Sequence, residues 1–254
     1  MPGLMLACGF LAGTIAGSFL ALVAARLPLG RPVVGGRSQC DACGRILGPL
    51  ELVPLVSFVA QRGRCKGCGA AIPASTWIME LLAGLVGLLV VMLARTPADL
   101  VWAVFGWLLL LLAALDLRHH WLPLRLTALL TLSGVAALFV SRGDALASLA
   151  GGAAGFLGLE AVRVGYRILR GREGIGGGDP LLLGGIGLWM GWQALPFVVI
   201  VASLVGFGLI ALWKLRGAEV GPATRVPLGA CLAIAAIGVW MAAARAPIVP
   251  LALL

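Results

Sequence analysis

Long apolar stretches, broken by short basic segments, dominate the chain. Leucine, alanine, valine and glycine run on without the period-two alternation of a membrane barrel, so the pattern predicts helices. A helix needs about 20 residues to cross a bilayer. Stretches of that order recur at about 3–25, 78–94, 98–115, 122–140, 145–162, 180–194, 196–213 and 227–244. The expected fold is all-α, a polytopic membrane protein of about eight transmembrane helices. One long polar segment, Pro28 to Pro73, interrupts them. The chain thus divides into a first transmembrane helix (1–27), a polar loop (28–77) and a transmembrane core (78–254). The first stretch, Gly3 to Ala25, is too long for a cleavable signal peptide and lacks its basic start, so a retained span is expected. The stretches on either side of Trp192-Gln-Ala-Leu-Pro196 are close enough to form one re-entrant hairpin.

Composition strengthens this picture. Hydrophobic residues make up 61% of the chain and charged residues only 11%, against about 25% in a soluble domain. The formal net charge of +9 raises the question of nucleic acid. Charge placement answers it. Sixteen of the 19 basic residues fall on one side of the predicted spans: Arg26 to Lys66, then Arg118 and Arg125, then Arg163 to Arg172, then Lys214, Arg216 and Arg225. Only Arg95, Arg142 and Arg245 fall on the other. The positive-inside rule puts the basic connections in the cytosol and both termini outside. The excess charge reads as topology, with membrane lipids as partners and no nucleic acid.

Within so apolar a chain, Asp116 and Asp179 stand out. Asp116 closes the run from Trp107 to Leu115, and Asp179 follows Gly174-Ile-Gly-Gly-Gly178. Ionisable groups at membrane depth are costly and are usually functional. The predicted topology brings both to the cytosolic face, at the bilayer edge. Asp116 alone could be a helix-end carboxylate paired with Arg118, His119 or His120, and those histidines read as interfacial groups. Asp179 could cap a helix whose first position is Pro180. Gly176, Gly177 and Gly178 would let a peptide backbone approach that carboxylate. No Gly-Lys-Ser/Thr follows, so the glycine turn is a poor nucleotide cradle. Two neighbouring carboxylates that share a proton suit peptide hydrolysis: one activates water and the other polarises the scissile carbonyl.

The polar loop carries Cys40-Asp-Ala-Cys43 and Cys65-Lys-Gly-Cys68, with 21 residues between the pairs. Four-cysteine zinc sites usually have about 15–20. Gly44, Gly67 and Gly69 suit the tight turns required. Two disulfides are the alternative, but the basic loop is expected in the cytosol, where disulfides are rare. A closed four-thiolate site has no open position, so such a zinc is structural. Cys8 and Cys231 lie in apolar spans and read as packing residues.

These elements together resemble the type IV prepilin peptidases, also called leader peptidase/N-methyltransferases, along nearly the whole chain. The resemblance rests on Gly17-Ser-Phe-Leu20 with Arg26-Leu-Pro28, the four cysteines in order, Pro54-Leu-Val-Ser57 and Gly63-Arg-Cys65. It continues through Asp116 with Leu122-Pro123 and Leu126-Thr127, then Gly176 to Asp179 with Gly187 and Trp189 to Trp192. The resemblance implies cleavage of the basic leader of type IV prepilins or type II secretion pseudopilins on the cytosolic face of the bacterial inner membrane. It implies methylation of the new N-terminus from S-adenosylmethionine, Asp116 and Asp179 as the catalytic pair, and zinc on Cys40, Cys43, Cys65 and Cys68.

The chain departs from that family at Ala21, where Asn is usual, at Leu124, where Asp or Asn is usual, and at Leu181, where Lys is usual. Thr76-Trp77 replaces a Tyr-Pro ahead of Glu80, which either lines the site or is a helix-start acid stabilised by the dipole. Glu160 is expected to pair with Arg163 or Arg167 on its own helix. Three other readings compete. A presenilin-like intramembrane aspartyl protease shares only Gly-x-Gly-Asp. A transporter would place its acids at the midplane and show internal repeats. An inactive zinc-bearing scaffold of a secretion apparatus would tolerate the departures. The sequence leaves the oligomeric state open.

Overall fold

The computed structural model describes residues 2–35, 37–140, 144–219, 221 and 224–245. Arg142, which the charge pattern places opposite the other basic residues, lies outside them. Nine α-helices are found among the described residues: α1 Pro2–Arg26, α2 Val56–Ala60, α3 Ala74–Leu93, α4 Trp102–His119, α5 Leu124–Val140, α6 Ala145–Arg170, α7 Asp179–Met190, α8 Leu195–Leu215 and α9 Leu228–Arg245. No strand occurs among them, only two isolated β-bridges in the cysteine loop. Six segments are long and apolar enough to cross a membrane: Gly3–Leu29, Ala74–Leu93, Pro97–His119, Ala145–Arg170, Leu195–Leu215 and Leu228–Arg245. The other two expected spans, α5 and α7, are shorter, at 17 and 12 residues.

The chain forms two compact units, Met1–Arg95 and Thr96–Leu254. In the first, α1 packs along α3. Glycines permit this: a methyl on Gly13 would collide with the Ala83 carbonyl, and one on Gly87 with the Gly9 carbonyl. Small residues let apolar helices gain dispersion contacts backbone to backbone where burial offers no hydrophobic gain.

In the second unit, α7 lies against α5, α6 and α9, and α4 packs on α9. Eleven of the 12 residues of α7 are buried. A helix that is apolar all round belongs in an interior, and α7 is short, about 18 Å at 1.5 Å per residue. Gly151 and Gly155 of α6 meet Gly187 and Leu183 of α7 with no room for a side chain. At the other end of α7, Trp189 donates its indole N–H to the Leu130 carbonyl at 3.1 Å. Its ring joins Trp102 and Phe105, while Trp240 stacks on Trp102.

Two helix boundaries differ from expectation in ways that matter. The α4 helix runs to His119, so Asp116 lies inside its last turn and not at its end. The α6 helix runs to Arg170, two turns past the apolar stretch. That extension is held by its basic last turn, favourable at a helix C-terminus, and by Gly171, whose φ of 66° closes it with a left-handed cap.

Candidate active site and metal centre

Asp116 and Asp179 are each 6% exposed. Both belong to the second unit, and both meet the start of a helix. Asp116 reaches from the last turn of α4 to α9, where its Oδ2 accepts the backbone N–H of Ala230 at 2.8 Å. Ala230 is the third residue of α9, so the carboxylate satisfies one of the N–H groups that every helix start leaves without an intrahelical partner. Anions are also favoured at this positive end. Asp179 is the first residue of α7. Its side chain does not cap the helix forward, which is one reading of the sequence. It turns back, and Oδ2 accepts the N–H of Gly176 at 3.0 Å. Among the described residues neither carboxylate is in an ion pair. Arg118, His119 and His120 are exposed, and the backbone N–H of His120, in a left-handed conformation, closes α4 on the Asp116 carbonyl.

Leu122 connects the two acids. It precedes α5, in the segment after Asp116. A methyl built on Gly178, next to Asp179, would lie 2.6 Å from Leu122 Cβ. A methyl built on Gly229, next to Ala230, would lie 2.8 Å from Leu122 Cδ1 and 3.1 Å from Asp116 Oδ2. The leucine is thus wedged between two glycines, each beside one aspartate site. These contacts gather the end of α4 and the starts of α5, α7 and α9 at one end of the second unit. Sequence reasoning missed Gly229 and Ala230, and it noted Leu122 only as part of the Leu122-Pro123 motif, with no packing role. The only local trace is the Pro-Leu-Gly-Ala at the start of α9, a helix start with room above it.

The three glycines before Asp179 differ from one another. A methyl on Gly176 would lie 2.9 Å from Asp179 Oδ2, and Gly178 is blocked by Leu122. Gly177 has only an ordinary contact, 3.5 Å from Arg163 Nη2. Glu160 pairs with Arg163, at 2.9 Å, in keeping with the helix spacing.

Glu80 lies in the first unit, on α3, and is 6% exposed. Its Oε2 accepts the backbone N–H of Leu55 at 2.7 Å. Leu55 has φ 61° and ψ −51°, and the N–H of Val56 reaches the Pro54 carbonyl at 2.6 Å. That is a γ-turn of the rare, strained kind. Glu80 therefore ties a strained turn of the polar loop to α3.

The same loop assembles the cysteines. The bridges Gln39↔Ile46 and Arg64↔Ala71 make two matching hairpins, each enclosing one Cys-x-x-Cys. Gly44 and Gly69, directly after each pair, have φ of 70° and 72°, which only glycine adopts cheaply. The four Sγ atoms lie within 4.8 Å of one another, with Cys40 and Cys68 at 3.9 Å. A tetrahedral zinc with bonds of about 2.3 Å places its sulfurs about 3.8 Å apart. The donor set and spacing therefore fit one metal ion. The N–H groups of Cys68 and Gly67 point at Cys65 Sγ and lower its thiol, while hydrogen bonds with the other three thiols raise that of Cys68, as expected of four close sulfurs that share protons. Glu51 accepts from Arg45 at 2.6 Å and from the Gly48 N–H at 2.9 Å, and this keeps its carboxyl below the usual range. Cys231 is buried, as a packing residue should be, whereas Cys8 is exposed on α1.

Comparison with known proteins identifies the two units separately. Residues 11–94 match the bacterial peptidase A24 N-terminal domain, and residues 103–211 match the type IV leader peptidase family. Three relatives are named prepilin leader peptidase/N-methyltransferase. The one from Aeromonas hydrophila is 40% identical over 81% of this chain and 70% of its own length. That from Myxococcus xanthus is 38% identical over 85% of this chain and 65% of its own length. That from Pseudomonas aeruginosa is 35% identical over 92% of this chain and 88% of its own length. The chain thus spans less than two thirds of the Myxococcus relative. No solved structure matches the chain.

Proposed function

The chain belongs to the type IV leader peptidase family, and from that premise we propose that it is an aspartyl endopeptidase of the bacterial inner membrane. It removes the basic leader of type IV prepilins or type II secretion pseudopilins at the cytosolic face and then methylates the new N-terminus. The observation that carries the reading is the pair of buried carboxylates, Asp116 and Asp179. Each is anchored by a backbone N–H at a helix start, and one leucine wedge joins their segments.

A backbone N–H fixes a carboxylate without neutralising it, so acid–base capacity is retained. Leu122 brings the segments that carry the two carboxylates together. Such a pair holds one proton between its members at neutral pH. The ionised member takes a proton from water, and that water attacks the scissile carbonyl. The protonated member donates to the carbonyl oxygen and then, as the bond breaks, the pair returns a proton to the leaving amine. Burial of both groups excludes bulk water and strengthens these interactions. The basic connections around this end of the unit support its cytosolic placement.

Cys40, Cys43, Cys65 and Cys68 would hold zinc. When bound, it supplies folding energy to a loop too small to bury a core of its own. S-adenosylmethionine is the methyl-donating substrate of the second reaction, which the names of the relatives support.

The test is cleavage of a full-length prepilin by the purified protein. Asp116→Asn and Asp179→Asn should each abolish cleavage while the thermal unfolding midpoint in detergent stays close to wild type. Full activity in either variant would falsify the dyad. Methylation is read from the mass of the mature N-terminus with and without S-adenosylmethionine.

A further inference from the structure

Asp179 is reached through a segment, Gly171 to Gly178, that has no regular structure and five glycines. Such a chain loses more conformational entropy on ordering than any other. Something must hold it if Asp179 is to keep one position. The two extra turns of α6 supply the holder. Arg163 places Nη2 3.6 Å from Glu173, at the start of the glycine segment. The same Nη2 would lie 3.5 Å from a methyl on Gly177, near its end. Nη1 meanwhile contacts both oxygens of Glu160, at 2.9 and 3.2 Å, which fixes the guanidinium on the helix. One turn further on, the Tyr166 ring covers Gly174, where a methyl would lie 2.5 Å from Cε1. Arg163 and Tyr166 are three residues apart and so share a face of α6. Between them they meet the glycine segment at Glu173 and Gly174, and the guanidinium faces the open side of Gly177. Gly176, enclosed by those contacts, gives its N–H to Asp179.

We propose that Arg163, braced by Glu160 and assisted by Tyr166, is a positioning residue that clamps the Glu173–Gly178 segment and so orients the Asp179 carboxylate. The proposal rests on the reading of Asp179 as catalytic. The guanidinium is needed for its shape as well as its charge. Its five donors in a fixed fork allow one nitrogen to hold Glu160 while the other faces the loop. A lysine has one nitrogen and cannot occupy both places.

The test uses the full-length enzyme in detergent with a full-length prepilin, and two independent readouts. One is steady-state cleavage. The other is amide hydrogen exchange of the peptide covering 171–179, which reports loop order whether or not the enzyme turns over. Arg163→Gln should lower kcat by roughly 10- to 100-fold, the scale of a misplaced catalytic group, with KM within about twofold. It should also speed exchange in that peptide by roughly tenfold. Arg163→Lys should recover part of both. Glu173→Gln, a milder change at an exposed residue, should move both in the same direction by less and add nothing to Arg163→Gln. Asp179→Asn, which keeps an acceptor oxygen for the Gly176 N–H, should abolish cleavage while speeding exchange of that peptide much less than Arg163→Gln does. Unchanged exchange in Arg163→Gln overturns the clamp, whatever happens to the rate. Faster exchange with unchanged kcat overturns the link to Asp179. A wild-type enzyme that fails to cleave prepilin overturns the proposed function instead, and exchange still decides whether the clamp exists.

Discussion

Two alanine substitutions at glycines on either side of Leu122 should respond differently to trimming that leucine. At Gly178 the added methyl meets Leu122 Cβ at 2.6 Å and the Leu122 carbonyl oxygen at 3.1 Å. Comfortable carbon–carbon contact is about 3.5–4.0 Å, so the segment must shift by about 1 Å. Overpacking of this kind costs about 1–3 kcal/mol. A displacement of about 1 Å at a catalytic group costs about 100-fold in rate. At Gly229 the methyl meets the far end of the same side chain, Cδ1 at 2.8 Å and Cδ2 at 3.2 Å, as well as Asp116 Oδ2 at 3.1 Å. Leu122→Ala removes both Cδ atoms but keeps Cβ and the carbonyl. On its own it should cost about 1–2 kcal/mol, since the leucine is half-buried. Combined with Gly229→Ala, it should recover about 1–2 kcal/mol relative to the sum of the single variants. Combined with Gly178→Ala, it should recover nothing. Thermal unfolding in detergent and initial rates of prepilin cleavage read both cycles. Equal rescue of the two alanines, or none of either, would show that Leu122 is not the wedge between the two aspartate segments. Gly177→Ala is the internal control, because its methyl has only an ordinary contact. Stability should change by less than about 0.5 kcal/mol; a fall in its activity with unchanged hydrogen exchange over 171–179 would mark Gly177 as a point of substrate approach, and faster exchange would assign the fall to the Arg163 contact instead.

The metal centre and the polar loop carry further expectations. Cys40→Ser should lose about one equivalent of zinc by metal analysis, and the segment around both hairpins should become protease-sensitive, since a site of three thiolates no longer closes the tetrahedron. Glu80→Ala leaves the N–H of Leu55 without its acceptor and should destabilise the protein by about 1–3 kcal/mol. Glu80→Gln, which keeps an acceptor oxygen, should cost less, and a larger loss in Gln than in Ala would refute the tie to Leu55. Glu51 has a depressed folded-state pKa, so its contribution should be complete above the unfolded value of about 4.3 and vanish as pH falls through the folded value. Hydrogen exchange around Gly48 should therefore separate Glu51→Gln from wild type near neutral pH and converge with it in acid. A difference that grows on acidification has the wrong sign for this pair.

Much of the candidate site was legible because its chemistry is local in the chain. Hydrophobic run lengths gave the long helices, and the order of charges gave an expectation for their sidedness. The two Cys-x-x-Cys turns needed only short hairpins with a glycine at a positive φ. The cysteines accordingly come together within 4.8 Å, as the spacing implies. Both aspartates were visible as costly charges. The family match also selects the leader-peptidase reading over the presenilin-like one, which shared a single short motif. Less legible was whatever depends on which faces pack. Asp116 looked like a bilayer-edge acid with histidine or arginine partners. In place of those partners its carboxylate has the backbone N–H of a helix start 114 residues further along the chain. Glu80 read equally well as a helix-start acid or a site-lining group, and its Leu55 partner is 25 residues away in a turn that no propensity favours.

The sequence by itself determined that this chain is a helical membrane protein with one polar cysteine loop and two conspicuous acids at the ends of apolar stretches. Those properties follow from solvent transfer and short-range geometry, which each segment carries wherever it packs. Tertiary structure alone decided that the acids are anchored by Ala230 and Gly176, that Leu122 lies between their segments, and that α6 extends to hold the glycine loop. Those contacts exist only where separate helices approach, and the approach is set by glycines whose effect appears once a second backbone lies against them.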